Sequence, residues 1–239
     1  MHLLTRMESS PKLAKYAGDA YEAAILYLAS AVYRKELCPN AGACMKACLI
    51  VKAGRGAFDD KVGAARRRRS DWLLSDREGF ETQLRKELDA LIRRASKRGK
   101  QAAVRLNGGS DLDWSHIYAE YKDRIVFWEY TKRPDLAFKL HAMGVSVTYS
   151  FSERTTDRLL GMILAQGINV AMVFALKKSE ALPISHRTGD DAKELSVVNG
   201  DAHDFRFLDP AGVIVGLRLK SNKRPTDEQV AGGFVQGAA

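Results

Sequence analysis

Apolar residues between Asp76 and Gly99 recur at three- and four-residue steps: Phe80, Leu84, Leu88, Leu91, Ile92 and Ala95. That spacing lines one face of a helix. Ser75-Asp76-Arg77-Glu78 in front of it has the form of a capping box, in which the Ser75 hydroxyl takes the Glu78 amide and Glu78 reaches back. Lys97 and Arg98 suit the negative end of the helix dipole, and Gly99 supplies the stop. A further helix is expected just before it, over 62–74. From Gln101 onward short apolar runs alternate with helical stretches. Residues 102–106, 125–130, 145–151 and 168–175 read as strands, and 115–122, 134–142 and 155–165 as helices. Residues 23–32 form an apolar run that periodicity alone leaves as a buried strand or the end of a helix. Near the other end, 205–208 and 213–219 read as two arms of a hairpin around Asp209-Pro210-Ala211-Gly212.

Strand–helix units in succession imply a parallel sheet with helical crossovers. The expected fold is α/β, one domain over residues 1–220 with a flexible tail over 221–239. A partial TIM-like barrel is favoured over an open doubly wound sheet. In both architectures sites gather at the C-terminal ends of the strands. That rule collects Asn107, Asp111, Tyr130, Lys132, Ser150, Glu153 and Lys177 at one face. Asp111, Lys132 and Glu153 are candidate catalytic groups among them. His203 and Asp204, in Asp201-Ala202-His203-Asp204, join that set, because an adjacent carboxylate can orient or charge an imidazole.

The chain has 239 residues, 46% of them apolar and 28% charged, which is a globular composition. Residues 159–176 carry no charge and are long enough to raise the question of a membrane span. Gln166-Gly167-Ile168-Asn169 at their centre instead fits a helix that stops at Gly167 and a strand that follows. The N-terminus lacks the apolar core of a secretory signal, so a reducing cytoplasm is the expected setting. There is no G-x-S-x-G, Walker A or H-E-x-x-H motif, which removes support for ordinary serine hydrolysis, P-loop chemistry and zinc peptidase chemistry.

The three cysteines fall together, at Cys38, Cys44 and Cys48, as C-x5-C-x3-C. Grouped thiols in a reducing compartment point to metal or redox chemistry rather than disulfides. A structural zinc site needs a fourth ligand, for which His116 and His203 are the distant candidates. An iron–sulfur cluster held by three cysteines leaves one iron open for a substrate or cofactor. Packing of the three as small apolar residues is the plain alternative. The net charge of +9 is local: residues 61–100 hold 13 Lys or Arg against 6 Asp or Glu. Arg66, Arg67, Arg68 and Arg69 are its densest point. Four consecutive residues sweep most of a helix's circumference, so some of these arginines must turn toward a groove or a carboxylate. The segment reads equally as a phosphate-contacting surface and as a solvated helix face.

Cys38-Pro39, Cys44 and Cys48, then Gly54-Arg55-Gly56, Asp76-Arg77-Glu78-Gly79-Phe80, Arg105-Leu106-Asn107-Gly108-Gly109-Ser110-Asp111, Tyr130-Thr131-Lys132 and 200–210 resemble a family of uncharacterised bacteriophage proteins. A more distant likeness is to radical SAM enzymes, which carry a three-cysteine loop after the first strand of a partial barrel and a Gly-Gly motif after the second. Their usual loop is C-x3-C-x2-C, and an acidic residue usually stands where this chain has Ser110. The resemblance implies a 4Fe–4S cluster on Cys38, Cys44 and Cys48. It also implies S-adenosylmethionine at the Asn107-Gly108-Gly109-Ser110 turn, met by the Gly108-Gly109 backbone. Two functions are therefore expected: a cluster-dependent enzyme acting on a nucleotide, nucleic acid or other phosphorylated substrate, and, as the alternative, a basic nucleic-acid-binding protein with a structural zinc or no metal.

Overall fold

The computed structural model describes residues 1–10, 13–16, 18–46, 48–52, 59–188, 193–220 and 233–237. Along the chain, Leu4–Arg6 forms β1, Tyr21–Leu26 β2, Asp60–Ser75 α1, Arg77–Lys97 α2, Gln101–Arg105 β3, Ser115–Tyr121 α3, Ile125–Thr131 β4, Pro134–Ala142 α4, Ser146–Ser150 β5, Asp157–Ala165 α5, Asn169–Phe174 β6, Ser185–Thr188 β7, Lys193–Asn199 β8, Ile214–Arg218 β9 and Val235–Gln236 β10. The run that periodicity left open is β2. It is buried on both faces, so its sequence shows no alternation.

The strands lie in one sheet in the order β1-β2-β3-β4-β5-β6-β9-β8-β7, with β10 also pairing with β6. From β2 through β8 every neighbouring pair is parallel, with Ala23 opposite Ala103, Ala103 opposite Val126, and Val170 opposite Ile214. Among the described strands, only β1 and β7, at the two edges, run antiparallel to their neighbours. The order β2 to β6 never reverses, so right-handed crossovers carry every helix to the same face. The core shows this directly. Ala24, Leu26, Val104 and Phe127 pack with Phe80, Leu84 and Leu88 of α2, Ile117 of α3, Leu140 of α4 and Ile163 of α5. The opposite face, Ala23, Ile25, Ala103 and Trp128, packs with Leu13, from a 3-10 turn over Leu13–Lys15, and with Phe205, and no described α-helix contributes to that cluster. Among the described residues the α-helices thus pack on one face of an open sheet with edges at β1 and β7, which is neither a closed barrel nor a doubly wound arrangement.

Gly99 and Gly167 take left-handed φ values of 66° and 77°, ending α2 and the turn after α5 where the sequence placed the stops. The uncharged stretch is thus split into α5 and β6, and no described helix is long and apolar enough to cross a membrane.

Two local expectations need correction. The cap of α2 is Asp76, whose carboxylate accepts from the Gly79 N–H; Ser75 is the last residue of α1, and its hydroxyl donates to Trp72 O. The expected hairpin is absent: Arg206–Leu208 is a turn of 3-10 helix, and β9 pairs in parallel with β6 and β8. In the stretch read as a tail, 221–232 and 238–239 lie outside the described residues, while Val235–Gln236 pair with β6 beyond the end of β5.

Candidate functional site

Because the strands are parallel, their C-terminal ends open onto one rim. The segments leaving them enclose a cavity of about 670 Å³, the size of a small-molecule site. Its walls include Cys38, Cys44 and Cys48, the turn 107–111, Tyr130, Lys132, Ser150, Arg66, Arg69, His203 and Asp204. Glu153 and Lys177, also expected at this face, are not part of the wall.

The turn after β3 is held from below. Glu129, fully buried in β4, accepts hydrogen bonds from Leu106 N–H at 2.6 Å, Asn107 N–H at 3.0 Å and Tyr118 O–H at 2.6 Å. Burial raises its carboxyl to about 7 even against these donors and Arg105. The Asn107 side chain closes the turn: Oδ1 accepts from Ser110 Oγ and Leu112 N–H, and Nδ2 donates to Leu112 O. The side chains of Asn107 and Ser110 are therefore spent on the turn itself. Gly108 and Gly109 have a packing reason as well. A Cβ on Gly108 would sit 2.5 Å from Ile25 Cγ2 and 2.8 Å from Leu26 O, and one on Gly109 2.3 Å from Ile50 Cδ1. Both glycines let the turn lie against β2 and the chain beyond the cysteine loop.

The cysteine loop is stitched across the same strand ends. Asp111 N–H donates to Leu37 O at 2.7 Å, Asn40 Nδ2 to Lys132 O at 3.4 Å, and Ala43 N–H to Glu153 Oε1 at 3.0 Å. All three cysteines are free thiols and partly buried. Cys38 Sγ lies 3.6 Å from Gly109 O, which it faces as a donor. Burial pushes the Cys38 thiol up to about 12, with Asp111, Cys48 and Cys44 adding to the effect. Any metal taken up there must first displace that proton. Among the described residues no three His, Cys, Asp or Glu side chains are gathered into a metal-ligand group. His116 is engaged by Glu81 at 3.0 Å, and Arg206 Nη2 lies 3.2 Å from His203 Nδ1, so neither histidine stands with the thiols as a fourth zinc ligand. The three thiols share the cavity wall without being gathered into such a group.

The candidate catalytic groups separate into held and available. Asp111 is held: it accepts from Thr131 Oγ1 at 2.6 Å and Lys132 N–H at 3.0 Å, and burial raises its carboxyl. Glu153 clamps the cysteine loop through Ala43. Partial burial works against its ionisation, but the Ala43 hydrogen bond and nearby Lys132 keep its carboxyl below the usual range. Asp204 pairs with Arg105 at 3.1 Å, both buried, and the Arg105 guanidinium lies 4.4 Å from the Tyr130 ring centre. Lys132 Nζ stands 4.9 Å from the Phe234 ring centre on the cavity wall. Burial, then Arg206, lowers the His203 imidazole, so it is neutral near pH 7.

The four arginines divide as helix geometry requires. Arg67 and Arg68 are exposed, whereas Arg66 and Arg69 are half-buried and face the cavity. Much of the remaining basic segment is ion-paired: Arg94 and Arg98 with the buried Glu22 at 2.7 and 2.9 Å, Arg85 with Glu120 at 2.8 Å, and Arg77 with Glu81 at 2.7 Å. With Lys100 and Asp19, five of the nine other Lys and Arg of the segment are ion-paired among the described residues, several with carboxylates from outside it.

Sequence reasoning missed Arg105, Ser30 and Arg218 as cavity residues. Arg105 carried a usable signal, a charge inside the apolar run 102–106. Ser30 and Arg218 carried none, since only the tertiary fold brings them to the rim.

Neither the curated proteins nor the solved structures contain a match to this chain, and none of the comparisons carries the likeness to radical SAM enzymes. A family model does match, described as Gene product 88, and it runs over residues 2–233, from β1 through the cysteine loop, the turn after β3 and the 200–210 segment. The phage setting expected from those same motifs agrees with that match, and the chain belongs to the Gene product 88 family.

Proposed function

We propose that the cavity is the active site of an iron–sulfur enzyme of the radical-SAM kind, with Cys38, Cys44 and Cys48 as cluster ligands and the 107–110 turn as the contact to S-adenosylmethionine. One observation carries this reading. Three thiols from the loop after the first parallel strand, and the Gly-Gly turn after the next, line a single cavity. The one-sided winding of the sheet and the free state of all three thiols support it. The bound pair would supply one-electron chemistry that side chains lack.

The chain's own residues would supply position and environment. Glu129 and Asn107 keep the 107–110 backbone rigid, which favours binding without a further ordering cost. Glu153 and Asn40 hold the cysteine loop over the strand ends. Phe151 and Phe234 line the wall with apolar surface that excludes water. Lys132 and His203 are the wall groups able to hold or receive a proton at the substrate, through Nζ and the imidazole.

The test is anaerobic reconstitution of the full chain with iron and sulfide, followed by iron and sulfide analysis and visible absorption, alongside the variant C38S/C44S/C48S. The expected result is brown wild-type protein and a colourless variant. Colourless, iron-free wild type after reconstitution that loads a control protein would overturn the proposal. Equal iron in the variant would do the same.

A further inference from the structure

We propose that Arg66 and Arg69, with the Ser30 hydroxyl, form a phosphate subsite in the cavity, and that the ligand they receive is a nucleoside phosphate. This names a substrate class for the active site proposed above and in that respect rests on that reading; the phosphate contact itself does not need the cluster.

Two guanidiniums three residues apart on one face of α1 point into the same cavity. Each is costly to place there. Burial lowers the pKa of both, and for Arg69 the neighbouring Arg66 and Arg68 act in the same direction, against Glu87. Among the described residues neither meets a carboxylate within ion-pair distance. Glu87 is taken up by Leu3 N–H and Leu4 N–H. Their protein contacts are carbonyls and a ring: Arg66 Nη1 to Ile50 O at 3.2 Å, Arg69 Nε to His2 O at 2.9 Å and Nη1 to Tyr27 O at 3.5 Å, with Arg66 5.1 Å from the Tyr27 ring centre. Those contacts aim the guanidiniums without an ion pair, and Glu87 acts on Arg69 only from beyond ion-pair distance. Arg66 Nε is buried without an acceptor.

Ser30 is an independent indication. Its side chain is 3% exposed and lines the cavity, and its Oγ has no hydrogen-bond partner among the described residues. A buried hydroxyl left unpaired costs about 1–3 kcal/mol, so a ligand that bonds it is favoured. Arginine forks and a hydroxyl donor together suit a phosphate group.

The cavity is larger than one phosphate needs, and the ring of Phe234 on its wall offers a flat surface for a base. A polymer is the weaker candidate. Arg67 and Arg68, the two arginines on the outer surface of α1, point away from this site, whereas a nucleic-acid track would use them.

The experiment is calorimetric titration of the full chain with ADP, adenosine, inorganic pyrophosphate and a short single-stranded DNA. ADP should bind about tenfold or more tightly than adenosine, with pyrophosphate competing. Arg66→Gln and Arg69→Gln should each weaken ADP about tenfold and leave adenosine unchanged, while R67Q/R68Q changes neither. Arg66→Lys keeps a cation and should retain part of the ADP affinity, which covers the case in which Arg66→Gln does not fold. C38S/C44S/C48S should still bind ADP, so failure of the cluster reading leaves this result standing. If the arginines serve only to neutralise the thiolates, that variant loses any effect of Arg66→Gln, and the proposal falls. Equal affinity for ADP and adenosine, no ADP binding, or an equal loss in R67Q/R68Q would also overturn it. So would single-stranded DNA displacing ADP through Arg67 and Arg68.

Discussion

Glu129→Gln should flatten the pH dependence of stability. The carboxylate is fully buried and takes three donors, Leu106 N–H, Asn107 N–H and Tyr118 O–H, and burial still raises it from 4.5 to about 7. A group raised on folding contributes stability that is complete below its unfolded pKa and lost as pH rises through its folded one. The window is therefore from 4.5 to about 7. Across it the unfolded chain releases a proton that the folded chain retains, so stability falls as pH rises. The difference corresponds to about 3 kcal/mol at about 1.4 kcal/mol per pH unit. Glutamine has no proton to lose, but it keeps an acceptor oxygen for the two amides and donates poorly to them through its NH₂. The variant should therefore be less stable than wild type by about 1–2 kcal/mol at about pH 5, and equal to it or more stable at about pH 8. Urea unfolding followed by tryptophan fluorescence at both pH values measures this, because buried Trp114 and Trp128 report on the core. A difference between variant and wild type that stays within about 0.5 kcal/mol across the two pH values would refute the reasoning, since Glu129 would then ionise alike in both states.

Gly108→Ala should cost about 2–3 kcal/mol in the same assay, because its Cβ meets the Leu26 carbonyl and Ile25, which cannot swing aside. Gly42→Ala should cost only about 1 kcal/mol, since its Cβ displaces the mobile end of Glu153, but it should speed alkylation of the cysteine loop by freeing Ala43. Cys38, raised to about 12, should be alkylated by iodoacetamide at about pH 8 far more slowly than a free cysteine in the urea-unfolded chain, and mass spectrometry of the 38-containing peptide would show equal rates if its burial were wrong. Glu22→Ala should lower stability by about 2 kcal/mol through Arg94 and Arg98 and leave any nucleic-acid binding unchanged; a gain in salt-dependent DNA affinity would mean that the basic helix is a binding surface held in check by that pair.

The strand–helix rhythm from Gln101 to Phe174 was legible because each parallel strand is a short apolar run closed by a turn residue, and each crossover helix carries its own periodicity. What local periodicity does not encode is the pairing partner. Residues 213–219 were correctly apolar, yet β9 finds β6 and β8 across the sheet rather than the neighbouring 205–208. β1, β7 and β8 are short or polar strands at or near the edges, where one free side removes the apolar signature, as in Ser185-His186-Arg187-Thr188. Ser75 and Asp76 are both good caps; the end of α1 at Ser75 decided between them. The rim residues were legible from the rule that sites form at the ends of parallel strands, and it placed Asn107, Tyr130, Lys132 and Ser150 on one cavity. The rule says nothing of side chains that arrive from other directions, so Ser30 beside α1 and Arg105 against Asp204 required the fold.

The central claim is that the cysteine loop and the turn after β3 act as one site. Electron paramagnetic resonance of the reconstituted, reduced protein with and without S-adenosylmethionine tests that conjunction most directly. A cluster signal that shifts when S-adenosylmethionine is added is expected, and the shift should be lost or weakened in Gly109→Ala, whose Cβ would force the turn away from Ile50. A cluster signal that S-adenosylmethionine leaves unchanged, or no cluster signal in protein that retains its three thiols, would contradict it.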